Sequence, residues 1–141
     1  MLKGVNWIAV IIAVVLLEGL GFLWYGPLFG KAWMAALGHD VSSANANVLM
    51  AIGVVNTLVL VVGLSWLIRS TGAATLGAAV AASVAAWFFF SLTTQSLEYI
   101  YMGMSLRLLE LNASFQLVAF VVAGATLNLV KFGAPAQVAA A

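Results

Sequence analysis

The chain has no cysteine, one histidine and two prolines, and only five basic and four acidic side chains among its 141 residues. Without cysteine there are no disulfides, no thiolate zinc site and no cysteine-held cluster. A single His39 rules out a His-rich metal centre or a bis-histidine haem held by one chain. A soluble domain carries roughly a quarter charged residues; at 6% charged this chain cannot cover itself with a water-facing surface. A net charge of +1 excludes a nucleic-acid reader, which needs a basic patch. No phosphate loop, metal motif or cofactor motif occurs. His39, Asp40 and Ser42 are close in sequence, but adjacency is not a triad geometry. No enzyme, metal or cofactor is expected.

What the chain has is apolar residues, 65% of the total. They fall into four runs, about 5–25, 48–68, 76–97 and 113–130, each close to the roughly 20 residues that a spanning helix needs. Alternation with period two is missing, which argues against a β-barrel. The expected fold is therefore all-α and polytopic: one four-helix transmembrane domain over 1–132 and a short flexible tail over 133–141. A cleaved leader is the weaker reading of the first run, since Gly19-Leu20-Gly21 is a poor small-x-small site and Glu18 adjoins it.

The stretch Trp24-Tyr25-Gly26-Pro27-Leu28-Phe29-Gly30-Lys31-Ala32-Trp33-Met34 ends the first run. Trp24, Tyr25, Pro27, Phe29, Lys31 and Trp33 suit a membrane–water interface, where amphipathic rings sit at headgroup level and lysine reaches water. Proline with glycine breaks the helix there. Residues 30–37 fit a brief interfacial helix stopped by Gly38, and Asp40 or Ser42 can cap the second span. Residues 98–110 read as the longest polar connection. Its charges Glu98, Arg107 and Glu110 read as solvated, with an Arg107–Glu110 pair if that segment is helical and Glu98–Arg107 as an alternative clasp.

Asn6-Trp7, the first apolar run and WYGPLFGKAWM resemble the bacterial domain-of-unknown-function family 1761. So does RLLELNASFQLV at 107–118, through Arg107, Asn112, Phe115, Gln116 and Leu117. The resemblance spans most of the chain and is sharp in those two stretches. It implies a small four-helix inner-membrane protein and carries no agreed activity and no catalytic residues.

Glu18 lies about two-thirds of the way along the first span. A carboxylate there costs a few kcal/mol unless protonated, paired or hydrated. Depth counting puts Asn56, Thr94, Gln95 and Gln116 at similar levels, so an intramembrane polar site of these five is one expectation; the other is that each glues helices together. Gln116, Gly124 and Asn128 share one face of the last span. The third span repeats small residues (Ala74, Ala78, Ala82 and Gly77, Ala81, Ala85), which reads as a packing seam. It then turns bulky at Trp87, Phe88, Phe89 and Phe90, rings that face lipid or a partner.

Lys3, Arg69 and Lys131 on one side against Lys31 and Arg107 on the other favour cytoplasmic termini. The expected role is an accessory, scaffold or self-associating subunit in a bacterial inner-membrane complex, with the lipid bilayer, copies of itself or a larger assembly as partners and no nucleic acid. The alternative is a small oligomeric proton-coupled transporter or channel that uses Glu18.

Overall fold

The computed structural model describes residues 3–38 and 45–132. Among these the chain is helical, with no strand. Helix α1 spans Trp7–Leu23, and a π-helical turn Trp24–Leu28 leads into α2, Gly30–Leu37. Helix α3 spans Ala46–Ser70; α4 (Leu76–Ala86), a second π-helical stretch (Trp87–Leu92) and α5 (Thr93–Tyr101) form one continuous rod; α6 spans Leu106–Leu129. Four segments are long and apolar enough to cross a membrane: Trp7–Leu28, Asn47–Ser70, Leu76–Tyr101 and Leu106–Leu129. At ~1.5 Å per residue each exceeds the roughly 30 Å hydrocarbon core.

Local chemistry sets the ends. Asn6 caps α1 by accepting from the Ala9 amide at 3.2 Å, Thr75 caps α4 through Ala78 at 3.2 Å, and Ser105 caps α6 through Leu108 at 3.2 Å. Gly38, at φ 77°, closes α2 in the left-handed conformation that glycine adopts without strain. The cap of α3 is Asn45, which accepts from the Asn47 amide at 3.0 Å. Asp40 and Ser42, expected in that role, lie outside the described residues, as does the tail over 133–141.

The boundaries differ from expectation at the second hairpin. The expected polar connection over 98–110 shrinks to residues 102–105, because α5 runs on to Tyr101 and α6 starts at Leu106. Glu98, Tyr99, Arg107 and Glu110 are thus helical. Their polarity marks helix ends leaving hydrocarbon, which composition alone does not distinguish from a loop.

Helix α6 is the centre of the bundle, packed along α1 on one side and α4 on the other. The closest approach is at Gly124: a Cβ there would meet Ser83 Oγ, lie 2.9 Å from Ser83 Cβ and 3.2 Å from the Ala79 carbonyl oxygen. The packing seam of α4 is therefore Ala79, Ser83 and Ala86, all buried. Gly77, Ala78, Ala81 and Ala85 are exposed. In LGAAVAASVAA nearly every face is small, so the pattern could not choose among them; the hole at Gly124 does. Ser83 satisfies its hydroxyl by donating to the Ala79 carbonyl at 2.7 Å.

Helix α3 joins the bundle by one half only. Val61, Leu64, Ser65 and Ile68 are buried, whereas every residue from Asn47 to Asn56 is exposed. The end that carries both termini is pinned by polar clamps. Asn6 Nδ2 donates to the carbonyls of Val130 at 2.9 Å and Phe132 at 3.2 Å. Arg69 donates to the Lys3 carbonyl at 2.8 Å, and Asn128 to the Ala74 carbonyl at 2.9 Å. The opposite end of α3 stands away from its neighbours and leaves space behind it.

Candidate functional site

That space is an open-sided cavity of about 790 Å³ at the end remote from Lys3 and Lys131. It is built by five separate segments. The bend after α1 supplies Tyr25, and α2 supplies Trp33. Pro27 lacks an amide hydrogen, and Gly26 takes a non-helical φ −103°, ψ −106°. The chain recovers with a wide turn in which the Phe29 amide donates to the Trp24 carbonyl at 2.9 Å. Gly30 follows because a Cβ there would lie 2.6 Å from the Tyr25 carbonyl oxygen. The bend folds α2 back so that Trp33 stands 5.5 Å from Tyr25, edge to face.

Asn112 is the hub. Its Oδ1 accepts from the Tyr25 hydroxyl at 2.9 Å and from Trp33 Nε1 at 3.2 Å. Its Nδ2 donates to the Tyr99 hydroxyl at 2.6 Å. One amide thus ties together the bend, α2, α5 and α6. Ser105 adds a second tie by donating to the Ala36 carbonyl at 2.9 Å. Phe115, one turn along α6, stacks 4.9 Å from Tyr25 and 6.0 Å from Trp24. Gly21 of α1 faces the Phe115 ring, with 3.7 Å between the ring edge and the place a Cβ would take.

The far wall comes from the rod of α4 and α5. Ser91 of the second π-helical stretch donates to Gln116 Oε1 of α6, and Gln95 lines the cavity. In an unbroken α-helix Gln95 would sit roughly a third of a turn away from the Ser83 face, at about 100° per residue. The wider turns between Trp87 and Leu92 draw it back toward α6. Gln95 Oε1 is buried and has no hydrogen-bond partner among the described residues. Leu49 and Met50 of α3 form the last wall. Among the described residues no charged side chain lines the space.

Of the five residues read as an intramembrane polar site, the structure brings Gln95 and Gln116 together here. Glu18 does not line the cavity; it is half-buried on α1. Thr94 is exposed and donates back to the Phe90 carbonyl at 2.6 Å. Asn56 lies on the outer face of α3, beside an open groove with Val48, Ile52, Val55 and Val59. Of the residues read as interface anchors, Pro27, Phe29 and Lys31 are exposed and Trp24, Tyr25 and Trp33 are half-buried. Trp87 packs against the core, with Nε1 unpartnered, while Phe88, Phe89 and Phe90 point outward. Arg107 pairs with Glu110 at 3.0 Å, both largely exposed; Glu98 takes no part.

Sequence reasoning missed Asn112 and Tyr99 as site residues. The signal lay in the two sharp stretches of family resemblance: Tyr25 and Trp33 come from one, and Asn112, Phe115 and Gln116 from the other. Their meeting is a tertiary fact.

Four helices of spanning length around an aromatic and amide cluster at one end define a small polytopic α-helical protein of membrane-spanning build. The chain belongs to the family of DUF1761, protein of unknown function, whose model matches residues 8–128. Comparison with curated proteins and with solved structures gives no match.

Proposed function

We propose that this protein is a non-catalytic subunit of a bacterial inner-membrane assembly, with cytoplasmic termini, that joins copies of itself through the outer half of α3. The observation that carries this reading is Asn56. Its side-chain amide lies on the exposed face of α3, about 15 Å from the start of that helix, and makes no hydrogen bond among the described residues. A bare amide against hydrocarbon is costly, and a second helix bearing the same amide removes that cost. Valine and isoleucine around it give the facing helix an apolar groove. The exposed Phe88, Phe89 and Phe90 offer a separate face to lipid or to a larger complex. Orientation rests on Lys3, Arg69 and Lys131 at one end against Lys31 and Arg107 at the other.

The absence of cysteine makes the test clean. Ile52→Cys or Val55→Cys, introduced singly, should cross-link between copies in native membranes, and Asn56→Leu should weaken the cross-link and lower the native mass. Co-extraction with another membrane protein would favour the accessory form. A monomer with no partner and no cross-link sinks the reading.

A second reading, a small oligomeric proton-coupled transporter or channel, is favoured by Glu18. This carboxylate sits inside the first spanning segment with no hydrogen-bond or ion-pair partner among the described residues. A pH-dependent flux in proteoliposomes that Glu18→Gln abolishes would support it.

A further inference from the structure

The cavity between α3, α5 and α6 has the makings of a binding site, and its lining restricts what fits. Its volume, about 790 Å³, falls in the range of small-molecule sites, roughly 300–1,000 Å³. Among the described residues no charged side chain lines it, and a charged ligand would lose hydration there with none of these groups to replace it. One wall is aromatic: Tyr25, Trp33 and Phe115, held in mutual edge and tilted contacts of 4.9–5.5 Å. Such a wall favours a flat ring.

The polar groups left over are specific. Asn112 Oδ1 is filled by Tyr25 and Trp33, and one of its two Nδ2 hydrogens goes to Tyr99, which leaves it no acceptor to offer. Gln116 Oε1 is taken by Ser91, which leaves its amide hydrogens to donate. Gln95 Oε1 is shut away without a partner. A terminal amide turns about its last torsion at small cost, so a hydroxyl entering the cavity can recover that missing bond. The site therefore asks for a ring that both donates and accepts. Access is from the side: among the described residues only Leu49 and Met50 stand beside the polar wall, on the exposed half of α3, and methionine yields readily to an incoming shape.

We propose that this cavity binds an uncharged, lipid-soluble hydroxyaromatic, the headgroup class of an isoprenoid quinol, between the Tyr25–Trp33–Phe115 wall and the Gln95–Gln116 amides. No redox step is implied. The proposal is independent of self-association through Asn56.

The test uses the full chain in phospholipid nanodiscs under anaerobic conditions, with a decyl-tailed benzoquinol as the probe and quenching of tryptophan fluorescence as the readout. Saturable quenching is expected. Gln95→Leu should weaken it about fivefold, the effect of one net hydrogen bond, and Met50→Phe should block the cavity from the α3 side without touching the Asn112 cluster. The oxidised quinone, which has no hydroxyl to offer Gln95, should bind more weakly than the quinol. Asn56→Leu, outside the cavity, should leave binding unchanged. Quenching that rises linearly with the probe-to-lipid ratio, and equally in wild type and Met50→Phe, would show partition into lipid only and overturn the proposal. Saturable binding that ignores both Gln95→Leu and Met50→Phe would overturn it as well.

Discussion

The Tyr25 hydroxyl donates to Asn112 Oδ1 at 2.9 Å across 87 residues of chain. That bond fixes the bend after the first helix to the start of the last. Trp33 donates to the same oxygen, so the acceptor is fully used and the whole corner turns on one side chain.

Replacing Asn112 with leucine should destabilise the protein by about 2 kcal/mol, from three interhelical bonds at the modest values found in membranes. Tyr25→Phe, which removes one of them, should cost about 0.6 kcal/mol. Reversible unfolding in mixed micelles measures both. Equal effects of the two variants would mean that Asn112 is not the hub.

Gly124→Ala should cost about 1–3 kcal/mol, because the added methyl collides with Ser83 and overpacking carries that penalty. Ser83→Gly in the same chain should recover part of the loss. A double-mutant cycle with no coupling between the two positions would contradict the close approach of α4 and α6.

Asn6→Leu removes both the cap of α1 and the clamp on Val130 and Phe132. A loss of about 1 kcal/mol is expected. Amide hydrogen exchange should accelerate at the first turn of α1 and the last turn of α6 together. Acceleration confined to α1 would show that the clamp contributes nothing.

Glu18→Leu should raise stability by about 1 kcal/mol in a bilayer, since the carboxylate has no partner among the described residues and ionisable groups inside a span are costly. A fall in stability would reveal that Glu18 meets a partner subunit or a bound group.

Arg107→Ala should change stability by about 0.5 kcal/mol or less, because the Arg107–Glu110 pair is exposed and surface pairs at this spacing are weak. A larger loss in low salt would place Arg107 in contact with something outside the chain.

The sequence by itself determined the number of spans and their lengths. Hydrocarbon demands about 20 apolar residues per helix and tolerates few charges, so four runs and nine charges left little choice. It also determined local punctuation: Gly38 stops α2, and Pro27 with Gly26 bends the chain. Each acts through backbone constraints carried by the residue itself. Only the tertiary structure decided which faces meet. In the alanine-rich α4 every face is small, and the seam is chosen by the gap at Gly124 on another helix. The π-helical stretch after Ala86 has no sequence signature, yet it turns Gln95 toward α6. Tyr25 and Trp33 have rings that suit a headgroup layer as well as a hydrogen-bonded corner. Which use prevails depends on Asn112, far along the chain and within reach only once α6 has packed.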